Sequence, residues 1–235
     1  YTDRPDTCGI GVPLEPEESI QLSINEANRA GLPVRLHCIA DGSVHMALDI
    51  FEKAALVNGK NNFHNTIEHI ENIAKEDIGR FRDLNVLPSM QPMHLLLDNN
   101  FKKNRIGEER AELEWPIHTI LEENGAVALG SDYPVVGIEP MNGIYAAVTR
   151  KGFDGSDEGE NPWEKITLAQ ALKGYTLDAA RAYGLENDTG SLEAGKYADV
   201  VILDNDPFTM NEKELYKVRT AMTVFEGKIY YRHNI

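Results

Sequence analysis

His37, His69 and Asp132 each stand where a short apolar run ends: Val34-Arg35-Leu36-His37, Asn65-Thr66-Ile67-Glu68-His69, and Val127-Ala128-Leu129-Gly130-Ser131-Asp132. Two imidazoles and a carboxylate are nitrogen and oxygen donors of the kind that hold a divalent cation such as zinc. A carboxylate beside such a cation can also move protons for a water molecule. In a β/α barrel the active site lies at the carboxyl ends of the strands, so residues there carry a functional expectation. Any one of the three alone reads first as a polar residue closing a strand; the three together favour a site. His94 follows another strand end, in Ser89-Met90-Gln91-Pro92-Met93-His94, and is a candidate for substrate contact or a plain loop residue. His45 and His118 fall within expected helices and His64 precedes its strand, so these read as structural; His233 carries no signal. The chain has no His-x-His pair, and His64 to His69 misses the zincin spacings. Two histidines and one aspartate are a thin set for a catalytic metal site.

Elements that would position these residues are legible in the periodicity. Residues 17 to 30 form an expected helix with Ile20, Ile24 and Ala27 on one stripe, closed by Gly31 and Pro33. A strand over 34 to 40 precedes a helix to about Asn58, with Asp41 as its cap and Val44, Leu48, Phe51 and Ala55 on one face. Gly59 suits the stop. Asn65 to His69 is a second strand, followed by a helix turning Ile78, Phe81 and Leu84 inward. Val86 to Met90 is a third. A long polar loop, a helix near 115 to 123 and a strand over 127 to 130 complete the series. Strand and helix alternate at βαβ intervals, which predicts parallel strands. If His37 faces inward, period-two alternation turns Leu36 and Cys38 outward, making Cys38 a buried, inert thiol.

The acidic stretch 153 to 161 fails as a calcium loop, because Lys165 stands where a bidentate Glu is required. Thr167-Leu168-Ala169-Gln170 is a capping box opening a helix to about Gly174; a second helix runs from Leu177 to Tyr183. Beyond residue 190 the pattern changes to strands over 200 to 203, 220 to 225 and 228 to 231, with a tight turn at Glu226-Gly227. The expected division is 1 to 189 for the βα-patterned body and 190 to 235 for a small β appendage.

A net charge of -15 argues against nucleic acid and against anionic membrane surfaces as partners. No apolar run approaches the roughly 18 residues of a membrane span. Cys8 and Cys38 make neither a disulfide framework nor a Cys-x-x-Cys site, and fit a reducing, cytoplasmic setting. The chain opens at Tyr1 without methionine or a signal-like segment, as expected of a processed chain or a piece of a longer one.

Seven strings, in order along nearly the whole chain, resemble the amidohydrolase superfamily, in its YtcJ-like branch that includes N-substituted formamide deformylase. They are His37-Cys-Ile-Ala-Asp41, Ile67-Glu68-His69, Ser89-Met-Gln-Pro92, Gly130-Ser-Asp-Tyr-Pro134, Gly143-Ile-Tyr-Ala-Ala-Val-Thr-Arg150, Thr167-Leu-Ala-Gln-Ala-Leu172 and the stretch from Gly190 to Asp204. The resemblance implies a (β/α)8 TIM-type barrel with a composite β-sandwich, of which this sequence would hold strands five to eight and the C-terminal sandwich strands. His37 and His69 match the fifth- and sixth-strand metal ligands, and Asp132 the eighth-strand acid. The first-strand His-x-His pair and the fourth-strand lysine or acid have no counterpart. The family often has Arg directly after the residue matching Asp41; here Gly42 stands there.

The implied activity is metal-dependent hydrolysis of a C–N bond in a small amide or formamide, with one or two divalent ions, zinc by expectation. Asp132 would take a proton from the activated water and pass it to the leaving nitrogen. Asp41 and Glu68 are candidates for orienting the imidazoles. As a C-terminal fragment with an incomplete catalytic set, the chain is expected to be inactive alone, and to need its missing N-terminal half or self-association. Two alternatives stay open: a non-catalytic half-barrel binding or assembly module, and a cyclic-amidase or deaminase type of hydrolase from the same superfamily.

Overall fold

In a computed structural model the described residues are 14–98, 106–153, 159 and 161–233; Cys8 and most of the acidic stretch, 154–158 and 160, lie outside them. The chain is α/β with a parallel sheet and divides into two compact units, Tyr1–Met90 with Lys103–Val127, and Gln91–Lys102 with Ala128–Ile235.

The first unit carries strands β1 (Arg35–Cys38), β2 (Asn65–His69) and β3 (Val86–Met90), hydrogen-bonded in that order and parallel. Helix α1 (Glu17–Arg29) precedes β1, and α2 (Asp41–Asn58) joins β1 to β2. The buried face of α2 is broader than the expected stripe. Ala47, Ile50 and Ala54 join Val44, Leu48 and Phe51 there, while Ala55 is only half-buried. A reciprocal amide pair fastens α1 to the start of β2: Asn28 Nδ2 donates to Asn65 Oδ1 at 3.1 Å, and Asn65 Nδ2 returns a bond to Asn28 Oδ1 at 2.9 Å. Both amides are buried, which explains how a polar residue occupies the inner face of α1 without an unmet donor.

Several boundaries differ from expectation for local reasons. Asp41 is not the cap of α2; Ala40 holds that position, and the Asp41 carboxylate accepts from the N–H of Gly42 at 2.7 Å inside the first turn. After β2 come α3 (Arg80–Leu84), α5 (Glu108–Ala111) and α6 (Ile117–Asn124). Of the three expected inward residues around α3, only Phe81 is fully buried. Trp115 lies before α6 rather than in it, at φ 49°, with its N–H on the carbonyl of Glu71 at 2.9 Å. A left-handed residue cannot continue a helix, so α6 starts two residues later.

In the second unit the residues after β3 begin a helix, α4 (Pro92–Asp98), where a loop was expected. Pro92 is its first residue, where the missing N–H costs nothing. Strand β4 (Ala128–Leu129) is short and buried, and α7 (Pro140–Thr149) follows it. The capping box opens α8 (Leu168–Lys173), with both reciprocal bonds of Thr167 and Gln170 in place. Instead of a break before the next helix, a five-residue π-helical turn (Gly174–Asp178) runs directly into α9 (Ala179–Ala182). Strands β5 (Val200–Leu203), β6 (Thr220–Phe225) and β7 (Lys228–Arg232) form an antiparallel sheet. Glu226 and Gly227, both at positive φ, make the tight turn of its hairpin. The change from helix to antiparallel strand beyond residue 190 thus falls inside the second unit. Among the described residues no helix is long and apolar enough to cross a membrane.

Candidate metal and catalytic site

In the first unit, β1 and β2 bring His37 and His69 together. The ring centroids are 4.4 Å apart in an edge arrangement. Register alone would not do this: Cys38, not His37, is the partner of His69 in the ladder, and Cys38 faces the buried side. The left-handed backbone of His69 (φ 78°) and Ile70 (φ 51°) ends the alternation at the last residue of β2, and the imidazole meets that of His37. Consecutive non-glycine residues in this region cost roughly 1–3 kcal/mol each, and such strain concentrates at functional sites. His37 is exposed on the face it shares with Arg35, whereas His69 is buried.

The two residues proposed to assist the imidazoles have other partners. Glu68 holds Arg35 at 3.0 Å. Asp41 is reached by the Nε of Arg110 at 3.4 Å. An arginine therefore does serve Asp41, but from α5, where no sequence neighbourhood points to it. Cys38 is 5% exposed, and burial pushes its thiol up to about 12, as fits an inert core cysteine. His45 bonds the fully buried Asp77 at 3.0 Å and His64 lies 3.2 Å from the carbonyl of Asn85, both structural roles.

In the second unit, the chain leaves β4 through Gly130 and Ser131 to Asp132, whose φ is 62°. Asp is among the few residues that tolerate this conformation. Its carbonyl accepts from the N–H of Val135 at 2.9 Å, and the Tyr133–Pro134 bond that follows is cis. The side chain is 37% exposed, and one carboxylate oxygen lies 3.6 Å from Nε2 of His94, which α4 carries and largely buries. At that separation the two attract if the imidazole is protonated but do not share a good hydrogen bond. His94 thus belongs to a helix beside the acid rather than to a loop; the Pro92 helix-start signal could have located it.

Two pairs result: two imidazoles at the carboxyl ends of adjacent parallel strands, and an imidazole beside a carboxylate on a left-handed turn. Their donor chemistry suits a zinc-like divalent ion, since neutral imidazole nitrogen and carboxylate oxygen are its usual non-sulfur ligands.

The sequence pattern of the amidohydrolase family (Amidohydro_3) matches residues 1–231. The chain is 36% identical over 216 residues to the Arabidopsis thaliana protein LONG AFTER FAR-RED 3, covering 92% of this chain and 36% of that one. It is 28% identical over 232 residues to YtcJ of Bacillus subtilis strain 168 (98% and 43% covered). It is 28% identical over 210 residues to the N-substituted formamide deformylase of Arthrobacter pascens (87% and 38% covered). Among solved structures, a metal-dependent hydrolase from Pyrococcus horikoshii OT3 superimposes with a TM-score of 0.77 at 29% identity, covering 90% of this chain and 41% of that one. The chain spans well under half the length of each of these relatives. On the family match, and on the likeness along nearly its whole length, the chain belongs to the amidohydrolase superfamily, in the YtcJ-like branch.

Proposed function

We propose that this chain contributes the ligands His37 and His69 and the acid Asp132 to a metal-dependent hydrolase of amide- or formamide-type C–N bonds. The observation that carries the reading is the apposition of His37 and His69, 4.4 Å between ring centroids, at the carboxyl ends of β1 and β2. The names of the Arthrobacter deformylase and the Pyrococcus hydrolase support the reaction class.

His37 and His69 would hold a divalent ion, zinc by preference, which would supply Lewis acidity towards a water and a substrate oxygen. Asp132 would serve as general base towards the water and then as general acid towards the leaving nitrogen, taking the proton from the one and passing it to the other. His94, beside Asp132, is suited to contact the substrate or steady the carboxylate.

The donors on this chain leave the family's first-strand His-x-His pair unsupplied, so activity is assigned to a longer assembly. One feature favours such an assembly. Among the described residues β1 stands at the end of the parallel order with His37 and Ile39 (41% exposed) open, and β7 leaves Ile229 and Tyr230 exposed. The missing N-terminal half, or failing that a second copy of the chain, is the proposed cover.

The test compares the isolated 235 residues with the longer protein, each supplied with zinc and assayed on N-substituted formamides and simple amides. Turnover by the longer protein alone is expected; robust turnover by the 235 residues alone would sink the incomplete-site reading. No turnover by either would sink the hydrolase reading. Light scattering of the isolated chain should find association, and a clean monomer would remove self-association as the remedy.

A further inference from the structure

The π-helical turn between α8 and α9 has a job that the metal and acid residues leave unexplained. Such turns are rare and occur often at functional sites. This one is clamped: Lys173 before it and Arg181 after it converge on Asp178, at 2.6 Å and 3.0 Å, and Asp178 is 1% exposed. Thr176 Oγ1 also donates to the carbonyl of Leu172 at 2.8 Å. The clamped turn projects Tyr175, whose hydroxyl donates to the carbonyl oxygen of Gly130 at 3.2 Å. Gly130 directly follows β4 and stands two residues before Asp132.

The phenol reaches that carbonyl through a notch in α7. A Cβ built on Gly143 would overlap Tyr175 Oη and come within 2.8 Å of Cζ, so only glycine leaves room. Burial raises the phenol pKa above its ordinary value, which keeps the hydroxyl protonated and therefore a donor. Downstream of Gly130, the N–H of Val135 on Asp132 O (2.9 Å) and the N–H of Tyr133 on Ser131 Oγ (3.3 Å) close the turn locally. The Tyr175 bond spans 45 residues and ties the start of the turn to the π-helical segment.

We propose that Tyr175 is a positioning residue for Asp132: its hydroxyl, admitted by Gly143, fixes the Gly130 carbonyl and thereby the left-handed turn that aims the Asp132 carboxylate. This rests on the reading of Asp132 as the group that moves the proton. Misplacing a catalytic group by about 1 Å costs up to about 100-fold.

The test uses the longer assembly proposed above, reconstituted with cobalt(II) as a visible-absorption probe and assayed on N-substituted formamides. Tyr175→Phe is expected to lower kcat by about 10- to 100-fold with KM within about twofold. It is also expected to alter the cobalt absorption band. Gly143→Ala, which must push the phenol aside, should have the same effect, and combining the two should cost little beyond either alone. Tyr175→Phe with wild-type kcat and cobalt spectrum would overturn the inference while leaving the proposed function intact. A loss of kcat that merely tracks the fraction of folded protein, or failure of both variants to fold, would also overturn it. If the wild type takes up cobalt but hydrolyses none of the panel, the spectra of the variants decide. A wild type that neither takes up cobalt nor hydrolyses any formamide would sink the proposed function, and this inference with it.

Discussion

Asp132 combines a left-handed backbone, a partly exposed carboxylate and a neighbouring imidazole at 3.6 Å. The backbone decides which substitution tests its chemistry. Alanine would add conformational strain to the loss of charge, whereas Asn tolerates the same φ and removes only the basic oxygen. In the metal-loaded, longer assembly proposed above, Asp132→Asn is expected to lower kcat by about 10²- to 10⁴-fold at nearly unchanged thermal stability. A retained kcat would remove Asp132 from proton transfer. Cys38 gives a second prediction. Its thiol ordinarily titrates near 9.0 but is held up to about 12 by burial. The folded state therefore keeps a proton that the unfolded chain sheds, and this contribution is intact below about pH 9 and is lost as pH rises towards 12. The loss runs at about 1.4 kcal/mol per pH unit. Denaturant titrations from pH 8.5 to 11 should give Cys38→Ala a flatter alkaline decline than the parent, and parallel curves would refute the linkage.

At the scale of elements, the clamped π turn links local stability to the site. Asp178→Ala leaves Lys173 and Arg181 without their shared carboxylate, and both can turn to solvent because each is more than a third exposed. The expected cost is about 2–3 kcal/mol, read as a lower midpoint in urea, with α8 to α9 losing hydrogen-exchange protection first. Uniform loss of protection would mean that the turn does not act as a unit. The capping box at Thr167, β2 over Asn65–His69, β3 over Val86–Met90 and the Glu226-Gly227 hairpin turn were all legible in the sequence. Each is written in neighbouring residues. The π turn was not, because a π insertion depends on what the helix packs against. Nor was α4, whose Pro92 signal competed with a polar stretch that resembled a loop. Arg110 reaches Asp41 across 69 residues, a distance over which spacing carries no information.

For the whole molecule, metal should behave as a ligand of the folded state. On the proposed function, zinc at about 100 times its dissociation constant should stabilise the proposed longer assembly by about 2.7 kcal/mol. Chelator should reverse this in the parent, with little effect on a His37→Ala, His69→Ala double variant. Equal responses would send the metal elsewhere. The sequence by itself determined the family, the parallel α/β pattern, and the strand ends that carry His37, His69 and Asp132. Alternating apolar runs and turn residues encode those features over short distances. Only the tertiary structure decided that His69 leaves its strand's alternation to meet His37, that His94 stands beside Asp132, and that Gly143 makes room for Tyr175 on the Gly130 carbonyl. These depend on positive φ angles and on contacts between residues far apart in the chain, and neither leaves a periodic trace in sequence.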